Sequence, residues 1–393
     1  MQVVIIGAGI GGLAAALTLR RAGIEVRLFE QAPQLREVGA GVQISPNATR
    51  ILVRLGLAGA LERFGVRPAA LAVRRWDDGR LIARHPLAGE CEREFGAPYY
   101  HFYRPELLEV IASALPADLI HLDHRCVGLT QRGDRVEARF HNGALAESDL
   151  IVGADGIHST VRELMLGPEA PRFSGHVAYR GLVPAGRVAH LGLELSGYSW
   201  WGPEHHFVHY FVGAGARYLN FVAVTPGEWR IESWTAKGEV ADALKEFSGW
   251  HPQVRAIIGA ADSINRWALY DRDPLPHWSV GGVTLMGDAA HAMLPYMAQG
   301  AVQAIEDAAV LARCLERVDG RGVVPALGRY EETRRPRATR CQEGSRRNGV
   351  IYHLADGEAQ HERDSGLAAV PTLPGARNAW LYGHDVEAEF DAV

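Results

Sequence analysis

Val3-Val4-Ile5-Ile6-Gly7-Ala8-Gly9-Ile10-Gly11-Gly12 opens the chain and decides its fold. The β-branched run predicts a buried strand. It passes into G-x-G-x-x-G and then into the Ala/Leu-rich stretch Leu13 to Ala22, which reads as helix. A second apolar run, Glu25-Val26-Arg27-Leu28-Phe29, ends on Glu30. A dinucleotide site needs these parts in this order. Gly7 permits a tight turn, Gly9 lets the backbone approach a pyrophosphate, and Gly12 lets helix pack on strand. The acid after the second strand can accept hydrogen bonds from a ribose diol. Free N–H groups and the positive dipole end of the helix then face the phosphates. A lone glycine motif is most often an ordinary turn; strand, helix, second strand and acid in register make this one specific.

The rest of the composition narrows the class. A chain of 393 residues can hold two domains with full cores, and 47% apolar with 22% charged residues is the balance of a soluble globular protein. A net charge of −5 gives no electrostatic case for nucleic acid or an anionic membrane surface. Of the 41 basic residues only Lys237 and Lys245 are lysines, and the arginines are scattered without forming a patch. Cys91, Cys126, Cys314 and Cys341 lie far apart, so neither a zinc site nor a disulfide framework is expected and a reducing cytoplasm fits. The first strand begins too early for a cleavable signal peptide, and no apolar run reaches the roughly 18 residues of a membrane span.

Two more strand-to-helix junctions carry nucleotide chemistry. Leu150-Ile151-Val152-Gly153-Ala154-Asp155-Gly156 precedes the polar helix start Ile157 to Arg162; Asp155 reads either as a ligand contact or as a turn with an Asx cap. Gly282 to Asp288 leaves a third strand, and Gln299-Gly300-Ala301 opens a helix with apolar residues at Val302, Ile305, Ala309, Ala312 and Leu315. The Asp288 carboxylate suits a ribityl hydroxyl, and the N–H groups near Gly300 and Ala301 suit negative charge on the N1–C2=O edge of a reduced flavin. Between these segments, Ala72 to Arg84 and Val177 to Val224 read as strands of an antiparallel sheet. The expected architecture is α/β. A Rossmann-like FAD-binding domain is assembled from residues 1–71, 100–172 and 267–345, with a smaller antiparallel β-sheet substrate domain from 72–99 and 173–266 and a C-terminal helical tail at 346–393. In that tail Gly366 to Gly375 reads as a Gly/Pro-rich link to Trp380-Leu381-Tyr382-Gly383-His384.

The set GAGIGG, Phe29-Glu30, Arg104 before a Leu-Leu helix, GADGIHSTVR and GDAAHAMLPYMAQGAVQAIEDA resembles the single-component FAD-dependent aromatic hydroxylases, the family with the p-hydroxybenzoate hydroxylase fold. Within that family the likeness is to the salicylate, 3-hydroxybenzoate and 6-hydroxynicotinate monooxygenases, and it extends into the tail. The resemblance implies that Gly7, Gly9 and Gly12 lie at the pyrophosphate, that Gly11 belongs to the cofactor site, and that Glu30 with Gln31 binds the adenosine ribose. It implies that Arg104 reaches the pyrophosphate side, that Cys126 or Val127 packs near adenine, and that Asp155 belongs to the cofactor site. It also puts Asp288 on the ribityl chain, Gly300 and Ala301 at the pyrimidine end, and Gln43 and Pro295 beside the flavin. NADH or NADPH would reduce FAD, O2 would add at flavin C4a, and the hydroperoxide would hydroxylate an aromatic ring. Only one complete G-x-G-x-x-G unit exists, in keeping with a family that has no separate NAD(P)H domain.

Trp200 to Tyr210 lies in the expected sheet. As a strand it puts His206, Val208 and Tyr210 on one face, with His205 and His209 on the other. Such an imidazole and phenol are suited to accept the proton of a phenolic substrate, although a satisfied core histidine is the plainer alternative; related hydroxylases carry the same His-x-x-x-Tyr. Tyr296 is expected to look onto the flavin face. His291 is read as support for the flavin loop, and Arg180 and Arg217 are candidate partners for a substrate carboxylate. The expected function is hydroxylation of a small aromatic acid of the hydroxybenzoate, salicylate or hydroxynicotinate type by a monomer or homodimer. Alternatives are a monooxygenase of a non-acid aromatic or polyketide-type phenol and a non-catalytic FAD-binding interaction protein. A flavin halogenase is disfavoured by the absence of a W-x-W-x-I-P stretch.

Overall fold

The computed structural model describes residues 1–35, 39–228, 236–369 and 375–391. Its first sheet has six strands in the order Ser279–Val280, Val283–Leu285, Leu150–Gly153, Gln2–Ile6, Glu25–Phe29, Ile120–His121. The three distant nucleotide segments thus become neighbours. Gln2–Ile6 runs parallel to Leu150–Gly153 on one side and Glu25–Phe29 on the other, and Leu150–Gly153 runs parallel to Val283–Leu285. Both faces of these strands are covered, which is why Val3, Val4, Ile5, Ile151 and Val152 form an unbroken apolar run, all at most 1% exposed.

Steric limits at two glycines set the first turn. At Gly7, φ is +104° and a Cβ would lie 2.5 Å from the Ala154 carbonyl oxygen; at Gly12 a Cβ would lie 1.9 Å from the Gly7 oxygen. Helix Ile10–Arg21 therefore seats directly on the turn it leaves. Its other side packs on helix Gly300–Leu315, where a Cβ at Gly11 would meet Ala304 at 3.0 Å and the Thr18 hydroxyl donates to the Ala308 carbonyl. Gly11 is thus a glycine at a helix–helix contact.

The second sheet has eight strands in the order Lys237–Gly238, Ile264–Asp271, Arg172–Pro184, Tyr218–Pro226, His206–Val212, Gly197–Trp201, Ala70–Arg75, Leu81–Pro86. It is not wholly antiparallel as expected, because Gly197–Trp201 and Ala70–Arg75 pair parallel. These strands meet from distant parts of the chain with no hairpin between them, so no turn signal dictated their direction. One sheet face packs Phe207, Phe221 and Trp200 against Phe247, Trp250 and Ile257 from helices Val240–Glu246 and Pro252–Gly259.

Several expected boundaries move. The one at 266/267 would cut strand Ile264–Asp271, the one at 71/72 would cut Ala70–Arg75, and Arg172 begins a strand placed after 172. The one at 345/346 would cut helix Val323–Tyr352. Gly366 lies inside helix Glu358–Ala369, while residues 370–374 of the expected Gly/Pro link lie outside the described residues. No described helix is long and apolar enough to cross a membrane.

Candidate active site

Two cavities open where the parallel strands end, the place at which open α/β sheets bind ligands. The first, about 330 Å³, is walled by Gly7, Gly9, Glu30, Gln31, Cys126 and Asp155. Glu30 accepts from the backbone N–H groups of Ala8 at 2.8 Å and Ala32 at 2.9 Å, which fixes its carboxylate at the strand end with lone pairs to spare. Asp155 accepts from the Ser159 hydroxyl and from the Val161 N–H at the start of helix Thr160–Leu166, so it is at once cavity wall and helix cap. Burial raises its pKa against those hydrogen bonds. Of the alternatives Cys126 and Val127, only Cys126 is on the wall, its thiol pushed up to about 11 by burial. His124 and Arg125, which no sequence motif marks, share the wall with Thr160, which lies inside GADGIHSTVR but was given no role of its own.

A Cβ at Gly9 would meet nothing within 4 Å, so the space beside this backbone is free for a ligand. A cofactor's pyrophosphate fits such a cradle, with the N–H groups of helix Ile10–Arg21 behind it. The two glycines separate by mutation. Gly9→Val is expected to keep the fold, since its φ of −71° suits any residue, yet lose FAD on gel filtration. Gly12→Ala should destabilise the apoprotein itself by about 1–3 kcal/mol, read as a lower urea midpoint. Equal retention of FAD in Gly9→Val and wild type would refute the cradle.

The second cavity, about 910 Å³, lies between the two sheets and the C-terminal segment. On the nucleotide side its wall includes Gln43, Arg104, Asp288, Pro295, Gly300 and Ala301. Asp288 begins helix Asp288–His291 and is exposed because it faces the cavity; the protein around it raises its pKa, opposed by His291 and Arg104. A Cβ at Gly300 would lie 3.7 Å from Asp288 Oδ1, so this carboxylate and the uncapped N-terminus of helix Gly300–Leu315 look onto one spot. Arg104 belongs to this wall and not to that of the first cavity, near enough to Asp288 to act on its charge.

A buried ionic network backs this wall. Arg334 reaches Asp307 and Glu306 at 2.7 Å each, and Arg337 reaches Glu306 at 2.7 Å. Asp307 also holds the Gly287 N–H at 2.8 Å and His291 Nε2 at 2.6 Å, and Glu306 accepts from Asn47. The network fixes the GD turn to the following helix, with His291 inside it as support.

On the sheet side, His206, Val208 and Tyr210 line the cavity as strand alternation requires. His209 turns away and stacks on Tyr198 with ring centroids 4.9 Å apart, and His205 bonds the Pro203 carbonyl. His206 and Tyr210 do not form the expected pair. Four residues along a strand is about 13 Å, so they stand at opposite ends of the cavity. Each has other partners. His206 Nδ1 lies 2.6 Å from His353 Nε2, while Tyr210 bonds Gln43, which also accepts from the Tyr99 hydroxyl at 2.6 Å. Burial pushes the Tyr210 phenol up to about 12, with Arg180 opposing, and holds His206 well below the ordinary histidine range.

Tyr296 is on the same wall, 6% exposed, with its hydroxyl buried and without a protein partner. Arg180 lines the cavity over Trp267 at 3.8 Å, its pKa lowered to about 9 by burial. Arg217 does not; it is paired with Glu106 outside the cavity. The sequence reading gave no role to Tyr352, Leu354, Arg363, Leu381 and Tyr382, which close the remaining side.

The chain matches the family model described as FAD binding domain over residues 1–345. It is 43% identical to a 3-amino-4-hydroxybenzoate 2-monooxygenase of Streptomyces platensis, covering 98% of this chain and 96% of that protein. It is 38% identical to the 6-hydroxynicotinate 3-monooxygenase of Pseudomonas fluorescens, covering 88% and 91%. The crystal structure of Klebsiella pneumoniae HpxO complexed with FAD and uric acid superposes with a TM-score of 0.85 at 27% identity, over 100% of this chain and 96% of that one. A cradle open at Gly9, a carboxylate beside a helix N-terminus, and likeness along nearly the whole chain agree: the protein belongs to the single-component FAD-dependent aromatic hydroxylases and is a flavoprotein monooxygenase.

Proposed function

We propose that the enzyme uses NADH or NADPH and O2 to place one hydroxyl group on a small aromatic acid that already carries a ring hydroxyl, of the hydroxybenzoate or hydroxynicotinate type. One observation carries this reading: the cavity that holds Asp288, Gly300 and Ala301 also presents an imidazole, a phenol and an enclosed guanidinium. Bound FAD, reduced by the nicotinamide, supplies the activation of oxygen. This chain's residues do the rest. Gly7, Gly9, Glu30 and Gln31 hold the adenosine diphosphate end, with Cys126 and Asp155 on the same wall. Asp288 takes the ribityl chain, and the helix N–H groups at Gly300 and Ala301 stabilise negative charge at the pyrimidine end. Arg180, charged and largely out of water, pairs with the substrate carboxylate. His206 meets the ring hydroxyl, Tyr210 and Tyr296 bound the ring, and Trp201 and Leu294 exclude water from the reacting centre.

NAD(P)H oxidation under air against hydroxybenzoates, aminohydroxybenzoates and hydroxypyridine carboxylates tests the reading, with mass spectrometry for a product one oxygen heavier. Stimulation only by phenols lacking a carboxylate would favour a non-acid substrate, and no stimulation by any aromatic would favour a binding protein. Asp288→Ala is expected to keep the fold and lose a charge-assisted hydrogen bond of about 1.5–3 kcal/mol, a roughly 10–100-fold weaker FAD. Fluorescence titration of the apoprotein measures it; unchanged affinity and flavin reduction would rule out the ribityl role.

A further inference from the structure

His206 and His353 are bonded ring to ring, Nδ1 of the first to Nε2 of the second at 2.6 Å. That leaves Nε2 as the nitrogen His206 offers to the cavity it lines. His353 sits just past the end of helix Val323–Tyr352, and its own second nitrogen, Nδ1, is buried with no hydrogen-bond partner. Between two neutral imidazoles one nitrogen donates and the other accepts. Where the shared proton resides therefore dictates what His206 presents to a substrate.

If His206 Nδ1 were the donor, His353 would carry its proton on Nδ1, as an N–H buried without an acceptor. Orphaned buried N–H groups are the rarer kind of unsatisfied group. The opposite arrangement leaves only an unshared lone pair there. The surrounding charge points the same way. A histidine that accepts a proton in catalysis is commonly backed by a carboxylate that stabilises the imidazolium. This one is backed by a second imidazole. The groups facing the pair are His176, with its ring 4.6 Å from His353, His205, and Tyr296 and Tyr352, with rings 5.1 and 5.5 Å from His206. Of the acids nearby, Glu204 acts on His176, and Glu246 lies 3.5 Å from His205 Nε2. Burial and the adjacent imidazoles keep His206 far below the usual range and His353 at about 3. Among the described residues no three His, Cys, Asp or Glu side chains are placed to hold a metal ion, so the cluster is not a metal site.

We infer that His353 is a positioning residue: it donates its Nε2–H to His206 Nδ1 and so keeps the His206 proton on Nε2, making His206 a neutral hydrogen-bond donor to a substrate oxygen. This rests on the proposed meeting of His206 with the ring hydroxyl, and it replaces the proton-accepting role expected of His206 from the sequence.

Nitrogen-15 NMR of the holoenzyme with labelled histidines reads the tautomer directly, with resonances assigned through H206Q and H353Q. Between about pH 6 and 9, His206 should show a protonated Nε2 and a bare Nδ1. In H353E the new carboxylate would accept from Nδ1 and draw the proton there. The NMR pattern should invert, and product formation should fall by about 10²-fold or more, the worth of one preorganised donor. H353Q, whose amide can still donate, should lose less. A wild-type proton on Nδ1 overturns the inference, as does an H353E enzyme that turns over as fast as wild type, because the Nε2–H donor would then contribute nothing. The inferred tautomer with unchanged coupling of NAD(P)H to product in both H353E and H206Q overturns the placement of the substrate at His206, which separates failure of that reading from failure of the tautomer.

Discussion

Arg334→Met is expected to lower stability by about 3–5 kcal/mol at neutral pH, because it leaves Glu306 and Asp307 buried with only part of their compensation. Both carboxylates are fully buried, and both are held at about 2 by their basic partners despite burial pushing the other way. Their folded pKa values lie below the unfolded values near 4, so the charged pair contributes stability above about pH 4 that is lost as pH falls toward 2. Removing Arg334 lets burial raise both pKa values, and protonation then relieves the variant. The gap between wild type and Arg334→Met in urea midpoint should therefore be widest at pH 7 and narrow steadily on acidification. A gap that stays constant with pH would mean that Arg334 stabilises by packing and not by charge.

The second large effect is on chemistry. His206→Phe and Tyr210→Phe should each retain FAD, since neither residue is on the wall of the nucleotide cavity. Each removes a buried polar group from the substrate face, and hydroxylation should slow by about 10²–10³-fold. Flavin reduction and reaction with oxygen would continue, so NAD(P)H would be consumed with hydrogen peroxide as the product. His209, stacked on Tyr198, does not itself line the cavity and serves as the control. Product formed per NAD(P)H separates the variants, and uncoupling in His209→Phe but not in His206→Phe would place the substrate on the wrong face. Because the two cavity residues stand about 13 Å apart, their effects should differ in kind. Tyr210 shares its end with Arg180 and Gln43, so its loss should act on substrates through their acid group more than through their ring hydroxyl.

The nucleotide half was legible in the sequence for a physical reason. Parallel strands buried on both faces are apolar runs, and the turns after them need glycine where a Cβ would strike backbone, as at Gly7 and Gly12. Strand alternation was enough to sort His206, Val208 and Tyr210 from His205 and His209. The packing of Gly11 on Ala304 was not legible, because a motif glycine looks the same whether it makes room for a phosphate or for a neighbouring helix. His353 escaped a role, and Gln43 was placed beside the flavin without its partners, because each acts through residues far away in the chain, His206 and the pair Tyr99 and Tyr210. Spacing along a sequence records what is near in sequence, and these contacts are made only by the fold.

The family match ends at residue 345, yet the helix carrying that boundary runs on to Tyr352, and the chain after it walls the larger cavity with Leu354, Arg363, Leu381 and Tyr382. The chain beyond residue 345 therefore shares the larger cavity with His206, Tyr210 and Asp288 and contributes nothing to the wall of the smaller one. A change in the last few dozen residues alters the space in the larger cavity while the wall at Gly7, Gly9 and Glu30 stays as it was. For redesign, the tail is the stretch to vary when a new substrate is wanted, and the glycine turn is the stretch to leave alone.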